Sequence, residues 1–177
     1  MNTESKQIEK IDPIVIAVCG TKNTGKTTLI EGVIPLLADA GIRTAVIKHH
    51  GHELDPDVPG TDTYRFYHVG AVGTIITDDQ QFALVKRGKN DVPTLIPYFQ
   101  DADLIILEGY KQSVYPRIEM LRGGGLPESD PELLIGIVGD KPDLYDENSE
   151  ILVLAFGDFA AAARLILNFC DLIRGKA

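Results

Sequence analysis

Tryptophan is absent from this chain of 177 residues, and cysteine occurs only twice. Cys19 and Cys170 both lie in apolar runs, and their spacing matches neither a metal motif nor a disulfide framework. We therefore predict that both are core thiols of a protein from a reducing compartment. A chain of this length suits one domain with a sizeable core.

Positive charge is also scarce, because 17 Lys and Arg residues face 26 Asp and Glu residues, giving a net charge of −9. Such a balance argues against general binding to nucleic acid or to anionic membranes. The apolar runs are too short to span a bilayer, and the first residues, MNTESKQIEKID, lack the apolar region of a secretion signal. We expect a cytoplasmic protein that binds neither nucleic acid nor membranes, in which any anion site is a local feature.

What the sequence does contain is a series of short apolar runs without polar alternation, which is typical of strands buried on both faces. These runs are Ile14–Cys19, Thr44–Lys48, Leu104–Leu107, Leu133–Val138 and Ile151–Phe156. Helical patterns lie between them, including Lys26–Ala40 and a last helix that begins near Asp158. This alternation predicts an α/β fold with a doubly wound, mostly parallel sheet and helices on both faces. Gly73–Thr77 and Phe82–Lys86 are expected to form a hairpin at the edge of that sheet.

The segment GTKNTGKT, residues 20–27, follows the first predicted strand, precedes the first predicted helix and matches the phosphate-binding pattern G-x-x-x-x-G-K-[ST]. Its glycines allow the backbone to wrap around a phosphate, and its amides point toward the ligand at a helix N-terminus. Lys26 is expected to contact the β- and γ-phosphates, and the Thr27 hydroxyl to ligate Mg²⁺. The alternative is a glycine-rich turn without a ligand. The residues assigned to nucleotide binding here are Gly20, Asn23, Thr24, Gly25, Lys26, Thr27 and Thr28.

Residues 13–177 are therefore expected to form a single P-loop nucleotide-binding domain after a flexible N-terminus at residues 1–12. Ligands of doubly wound folds bind beyond the carboxyl ends of the strands. A P-loop protein needs a carboxylate at a neighbouring strand end to hold Mg²⁺, and Glu108 ends the run DLIILE. Asp62, at the start of a short helix, has two open interpretations: a helix cap or a further group near Mg²⁺.

Three histidines, His49, His50 and His52, stand together after the second predicted strand. Imidazoles suit Zn²⁺, Ni²⁺ or Cu²⁺, so a metal-binding segment is one interpretation. Their spacing does not close a tetrahedral site, however, which favours a polar loop that contacts phosphate or cofactor in the nucleotide cleft.

Taken in order, the stretches GTKNTGKTTL, IKHHGHELD, PGTDTYRFYHVGA, DLIILEGYK and PRIEMLR resemble the molybdopterin-guanine dinucleotide biosynthesis protein B family. The resemblance runs from about Val15 to Arg122 and extends, in layout, to dethiobiotin synthetase. It implies that Thr27, Asp62 and Glu108 surround Mg²⁺ and that Lys48 faces the phosphoryl groups. It further implies a GTP-binding homodimer with weak GTPase activity, an accessory protein that assists guanylylation of molybdopterin or delivers the finished cofactor. The implied partners are a molybdopterin nucleotidyltransferase and possible recipients, the molybdoenzymes or their chaperones.

The choice of base rests mostly on this resemblance. GDKPD, residues 139–143, is similar to the guanine-reading N-K-x-D pattern with Asp140 in place of asparagine. Asp143 is a candidate acceptor for the guanine N1 and N2 donors, and a polar turn without a ligand is the alternative. Two other functions stay open at this point: an ATP-dependent ligase or kinase of the dethiobiotin synthetase type, and a nickel metallochaperone GTPase.

Overall fold

The main sheet of the protein has six strands in the order β2-β5-β1-β6-β7-β8. The computed structural model describes residues 12–51, 57–123, 126–140 and 151–175. All neighbouring strands of this sheet run parallel. The strands are β1 (Ile14–Gly20), β2 (Thr44–Lys48), β5 (Leu104–Glu108), β6 (Arg117–Leu121), β7 (Leu134–Gly139) and β8 (Val153–Ala155). The prediction of an α/β fold with a mostly parallel sheet is confirmed.

One face of the sheet and two long helices share the main apolar core. Every second residue of β1, namely Ile14, Ile16 and Val18, belongs to this core together with residues of α1 (Lys26–Asp39) and α4 (Phe159–Ile173). The two helices also pack against each other. Burying one Leu or Ile side chain contributes roughly 1.5–3 kcal/mol relative to leaving it exposed, so this core is the main source of stability.

The opposite face of the central strands is buried as well, since Ala17, Ile105, Leu107 and Ile137 have 1% exposure or less. Such two-sided burial explains why these strands read as continuous apolar runs. That helices cover this second face stays a prediction. Both cysteines are buried, and burial raises the pKa of the Cys19 and Cys170 thiols.

The last helix begins where the sequence predicts. The Asp158 carboxylate accepts a hydrogen bond of 2.9 Å from the Ala161 amide, which satisfies one of the free donors in the first turn of α4. Side-chain caps of this kind contribute about 1 kcal/mol.

A second compact unit, His50–Thr94, can be described separately from the unit formed by Met1–His49 and Leu95–Ala177. It contains α2 (Asp62–His68) and an antiparallel hairpin of β3 (Gly73–Thr77) and β4 (Phe82–Lys86). The short helix α3 (Val92–Leu95) follows and continues into a 3₁₀ turn, Ile96–Phe99. The predicted single domain over residues 13–177 stays a prediction.

The structure corrects two expectations about this second unit. The hairpin exists at the predicted residues but forms a two-stranded sheet of its own and is not the edge of the main sheet. The cap of α2 is Thr61, whose hydroxyl accepts from the Tyr64 amide, and not Asp62. Asp62 instead sits in the first helical turn, where a carboxylate interacts favourably with the helix dipole.

Among the residues that the structure describes, none of the helices has both the length and the apolar character needed to traverse a lipid bilayer.

Candidate nucleotide-binding site

The turn between β1 and α1 has the backbone of a phosphate-binding loop. Gly20, Asn23 and Gly25 all have positive φ angles, of 135°, 65° and 92°. A Cβ atom on Gly20 would lie 2.5 Å from the carbonyl oxygen of Met120 in β6, so only glycine lets the two strands approach this closely. The requirement for glycine at this position is therefore steric.

The N-terminus of α1 is available to an anion. Gly25 is its N-cap, no side chain caps the helix, and no acidic residue occurs in its first turn among the described residues. The first amides of a helix lack partners within the helix, and the helix dipole places partial positive charge on them. The predicted ligand-binding residues Asn23, Thr27 and Thr28 are exposed at this end, so a phosphate can reach these amides.

Lys26 folds back over the loop. Its ammonium donates to the carbonyl oxygens of Gly20 at 3.1 Å and Thr21 at 2.6 Å. Thr24 is buried, and its hydroxyl donates to the Thr21 carbonyl at 3.0 Å, which braces the turn from inside. The loop thus holds a positive charge beside a row of exposed amides, an arrangement that suits a phosphate chain.

Glu108 lies at the carboxyl end of β5, between the ends of β1 and β2. The strand register places Glu108 beside Val18 of β1 and beside Lys48 of β2. Its Oε1 accepts a hydrogen bond of 2.8 Å from the Thr27 hydroxyl and one of 3.0 Å from the Lys48 ammonium. The Glu108 side chain is only 11% exposed, and an ionised carboxylate at that depth needs such partners. The structure therefore brings together three residues that the sequence singled out separately.

Thr27 and Glu108 offer the hydroxyl and carboxylate oxygens that a hard cation such as Mg²⁺ prefers. Lys48 supplies a positive charge beside Glu108, with its ammonium 3.0 Å from the carboxylate. Asp62, the third predicted magnesium ligand, belongs to the second unit, where it forms an exposed ion pair of 3.4 Å with Arg65. Its predicted role at the metal stays a prediction.

Of the three clustered histidines, His49 contacts the carboxyl end of β5. Its amide donates to the Glu108 carbonyl at 3.1 Å, and its ring contacts the Tyr110 ring edge-on with centroids 5.3 Å apart. Tyr110 has a positive φ of 49°, and burial raises the pKa of its phenol. His50 is exposed, and His52 lies outside the described residues. Within the described ranges, no group of three or more His, Cys, Asp and Glu side chains is arranged to hold a metal ion.

Asp143, the candidate guanine acceptor, lies outside the described residues as well. Its neighbour Asp140, at the end of β7, accepts a hydrogen bond of 2.7 Å from the Gly123 amide. Asp140 therefore fixes the chain where it leaves β6.

Two buried charged residues of β6, Arg117 and Glu119, were not singled out from the sequence. Arg117 is 2% exposed and donates to the carbonyl oxygens of Lys111, Ser113 and Tyr115. Glu119 is 4% exposed and accepts from the amides of residues 128 and 129, at 2.9 and 3.0 Å. The signal in the sequence is the alternation RIEM, which is equally typical of a strand with one face in solvent.

Comparison with known proteins identifies the family of this chain. The family described as "MobB: Molybdopterin guanine dinucleotide synthesis protein B" matches residues 15–140. The "Molybdopterin-guanine dinucleotide biosynthesis adapter protein" of Escherichia coli (strain K12) is 34% identical over 165 residues, which cover 88% of this chain and 92% of that protein. The adapter protein of the same name from Haemophilus influenzae is 32% identical over 129 residues, covering 68% of this chain and 71% of that protein.

Solved structures of this family share the fold of this chain. The crystal structure of Bacillus subtilis MobB superimposes with a TM-score of 0.69 at 26% identity, covering 88% of this chain and 96% of that one. A crystal structure of molybdopterin-guanine biosynthesis protein B superimposes with a TM-score of 0.67 at 23% identity, covering 89% and 99% of the two chains. The chain belongs to the molybdopterin-guanine dinucleotide synthesis protein B family.

Proposed function

We propose that the protein is a GTP-binding adapter with weak GTPase activity in molybdenum cofactor biosynthesis. The observation that carries this proposal is the contact between Thr27 and Glu108 beside the folded-back Lys26, in a chain of this family. A relative that covers most of the chain is named as an adapter protein of molybdopterin-guanine dinucleotide biosynthesis. In this role the protein assists guanylylation of molybdopterin or delivers the guanine dinucleotide cofactor.

The nucleotide phosphates would lie on the turn between β1 and α1. The amides at the start of α1 donate to their oxygens, while Lys26 leaves its loop carbonyls and places its charge against the β- and γ-phosphates. Lys48 is proposed as a second cation beside these groups. Thr27 and Glu108 would hold Mg²⁺, with Asp62 as a further candidate, and the ion would neutralise phosphate charge. His49, His50 and His52 are proposed to contact phosphate or cofactor.

Slow hydrolysis fits the surroundings of Glu108. A Glu108 carboxylate that holds Mg²⁺ together with Thr27 would be a weak base toward an attacking water, because the cation lowers its basicity. A P-loop site that positions phosphates without a dedicated base has low intrinsic GTPase activity. Such a protein acts chiefly as a nucleotide-dependent adapter.

The proposed assembly is a cytoplasmic homodimer that works with a molybdopterin nucleotidyltransferase and with molybdoenzymes or their chaperones. Exposed apolar side chains of the β3–β4 hairpin support the dimer, because Ile75, Ile76 and Phe82 are each 60% exposed or more. The strand register places Ile75 and Phe82 on one face of the hairpin and Ile76 on the other, so the hairpin exposes apolar side chains on both faces, which favours burial against a partner.

Calorimetry tests the nucleotide assignment. GTP and ATP would be titrated into the protein with Mg²⁺ and again with EDTA, with Lys26→Ala as the binding-deficient control. We expect GTP to bind more tightly than ATP and Mg²⁺ to strengthen the binding of GTP. A preference for ATP would contradict the proposal and favour a ligase or kinase of the dethiobiotin synthetase type.

A further inference from the structure

A cavity of about 450 Å³ lies directly beside the phosphate-binding turn. Gly20 and Thr21 form part of its wall, and Cys19 and Glu119 also line it. The same two wall residues, Gly20 and Thr21, offer the carbonyl oxygens that accept the Lys26 ammonium. The cavity and the phosphate site therefore share one short segment of backbone. Its size is in the range that holds a small organic ligand.

The walls of this cavity are held in place by buried charges. Lys111 and Gln112 come from the loop whose carbonyls are bound by Arg117, and Ser129 comes from the loop whose amides are bound by Glu119. Arg117 and Glu119 are both more than nine-tenths buried. Burying a charge is costly, and both groups direct their hydrogen bonds to the backbone of the two loops. The result is a pocket with fixed walls.

The lining indicates the chemistry of the occupant. Arg122 stacks its guanidinium on the Phe156 ring at 4.4 Å, and the described part of the chain gives it no carboxylate partner. The Lys111 ammonium lies 3.9 Å from the Glu128 carboxylate, an exposed pair that is too long for a hydrogen bond. Both cations are therefore available to an anionic group. Met120, Leu121 and Leu126 contribute apolar surface, which suits an apolar part of a ligand.

We propose that this cavity binds a second small molecule that carries a phosphate or another anionic group on a partly apolar organic body. Lys111 and Arg122 would bind the anionic group, and Gln112 and Ser129 would bind polar groups of the body. The placement of this ligand next to a nucleotide rests on the proposed function. The cavity and its chemistry do not depend on it. Both ligands would then lie against the backbone of Gly20 and Thr21.

Phenyl phosphate is a suitable probe, with phenol and inorganic phosphate as its two halves. Each is titrated into ¹⁵N-labelled protein saturated with GDP and Mg²⁺, and separately into Lys26→Ala, whose phosphate loop is impaired. We expect saturable amide shifts at Gln112, Leu126 and Ser129 with phenyl phosphate in both samples. Phenol and inorganic phosphate should each bind at least about tenfold more weakly, since each lacks one half of the contacts.

Lys111→Ala and Arg122→Ala should each raise the dissociation constant of phenyl phosphate about tenfold, because each removes a charge-assisted contact. Arg164→Ala, on the exposed side of α4, is the matched control and should leave the constant unchanged. Amide shifts confined to the phosphate loop would overturn the proposal. So would an equal loss of affinity for phenyl phosphate in Lys111→Ala, Arg122→Ala and Arg164→Ala. Cavity shifts in Lys26→Ala alongside failed GTP binding by the wild type would overturn the proposed function and leave the cavity assignment standing.

Discussion

At the scale of single residues, Lys26 carries the most direct prediction. Among the described residues, the hydrogen bonds of its ammonium all go to oxygen atoms of its own loop, so Lys26→Ala should leave the melting temperature nearly unchanged. GTP affinity should fall about a hundredfold or more, since a charge-assisted contact to phosphate is lost at two oxygens. Calorimetry measures the loss, with the exposed loop residue Lys22 changed to Ala as the matched control. A Lys26→Ala protein that binds GTP like the wild type would show that the phosphate site is misassigned.

Glu108→Gln separates a metal role from a structural one. The amide keeps the shape and can still accept from Thr27, but it loses the charge that Mg²⁺ requires. We expect GTP affinity to fall in the presence of Mg²⁺ and to change little in EDTA, or to rise there, because Lys48 is released from its ion pair. Titrations under both conditions provide the comparison. Equal losses with and without the metal ion would argue against a metal-coupled carboxylate.

The histidine segment is expected to act on nucleotide or cofactor and not as a metal carrier. Changing His49, His50 and His52 together to Ala should impair nucleotide handling, because it removes three imidazoles after β2, including the His49 ring that contacts Tyr110. Uptake of Ni²⁺ or Zn²⁺ should change little. Calorimetry on the parent protein decides the matter, since a tight stoichiometric metal site that disappears in the triple variant would favour the metallochaperone function.

Sequence alone located the charged centre of the site but not its surroundings. Lys26, Thr27 and Glu108 could be found because a glycine pattern between a strand and a helix, together with an acidic strand end, is typical of phosphate sites. Thr61 and Asp62 are adjacent and both are good cap residues, so only the backbone decides which of them caps α2. Arg117 and Glu119 alternate with Ile118 and Met120, and alternation does not reveal that both faces of β6 are buried.

At the scale of elements, the ends of β2 and β5 opposite the site are joined by an ion pair. Arg43 donates to both oxygens of Asp103, at 2.9 and 3.1 Å, and hydrogen bonding by Arg43 lowers the pKa of the Asp103 carboxyl. A lowered folded-state pKa gives stability that is present above the unfolded pKa and is lost as the pH falls through the folded value. At pH 7 the free energy of unfolding of Asp103→Asn should therefore be smaller than that of the wild type. This gap between the two proteins should shrink as the pH falls below about 4.

Urea unfolding at several pH values checks this, with Glu31→Gln on the exposed side of α1 as the control for removal of a carboxylate. The difference is expected to be small, since Arg43 is largely exposed and surface pairs are screened. A gap between Asp103→Asn and the wild type that stays constant from pH 7 to pH 3 would contradict the electrostatic explanation.

Element positions were easier to predict than element partners. The predicted strand Leu104–Leu107 differs from β5 by one residue, and the hairpin strands Gly73–Thr77 and Phe82–Lys86 match β3 and β4. The placement of that hairpin at the edge of the main sheet was wrong. The local residue pattern indicates which segments favour an extended backbone. Pairing with a distant strand depends instead on the tertiary packing of the whole chain.

At the scale of the whole molecule, the β3–β4 hairpin predicts the oligomeric state. Ile76→Asp places a charge within its exposed apolar surface and should shift the protein from dimer to monomer, because a charge is costly to bury at an interface. Leu172→Asp on α4 is the matched control, since Leu172 and Ile76 are both 62% exposed. Analytical ultracentrifugation gives the masses. A monomeric wild type, or an Ile76→Asp protein that remains dimeric, would rule out this interface.

The strand order has a consequence for how the protein is made. Both neighbours of β1 in the sheet, β5 and β6, come from the chain beyond residue 103. As the nascent chain leaves the ribosome, the strand Ile14–Gly20 therefore stays unpaired until the second unit and then β5 and β6 have been synthesised. Pairing across such a long stretch is slow, because the entropy of closing the loop is lost before any contact is gained. The Gly20–Met120 approach and the Thr27–Glu108 hydrogen bond form only after that closure. Nucleotide binding during translation would therefore report that β5 and β6 have paired with β1, and until then an apolar strand is exposed to chaperones.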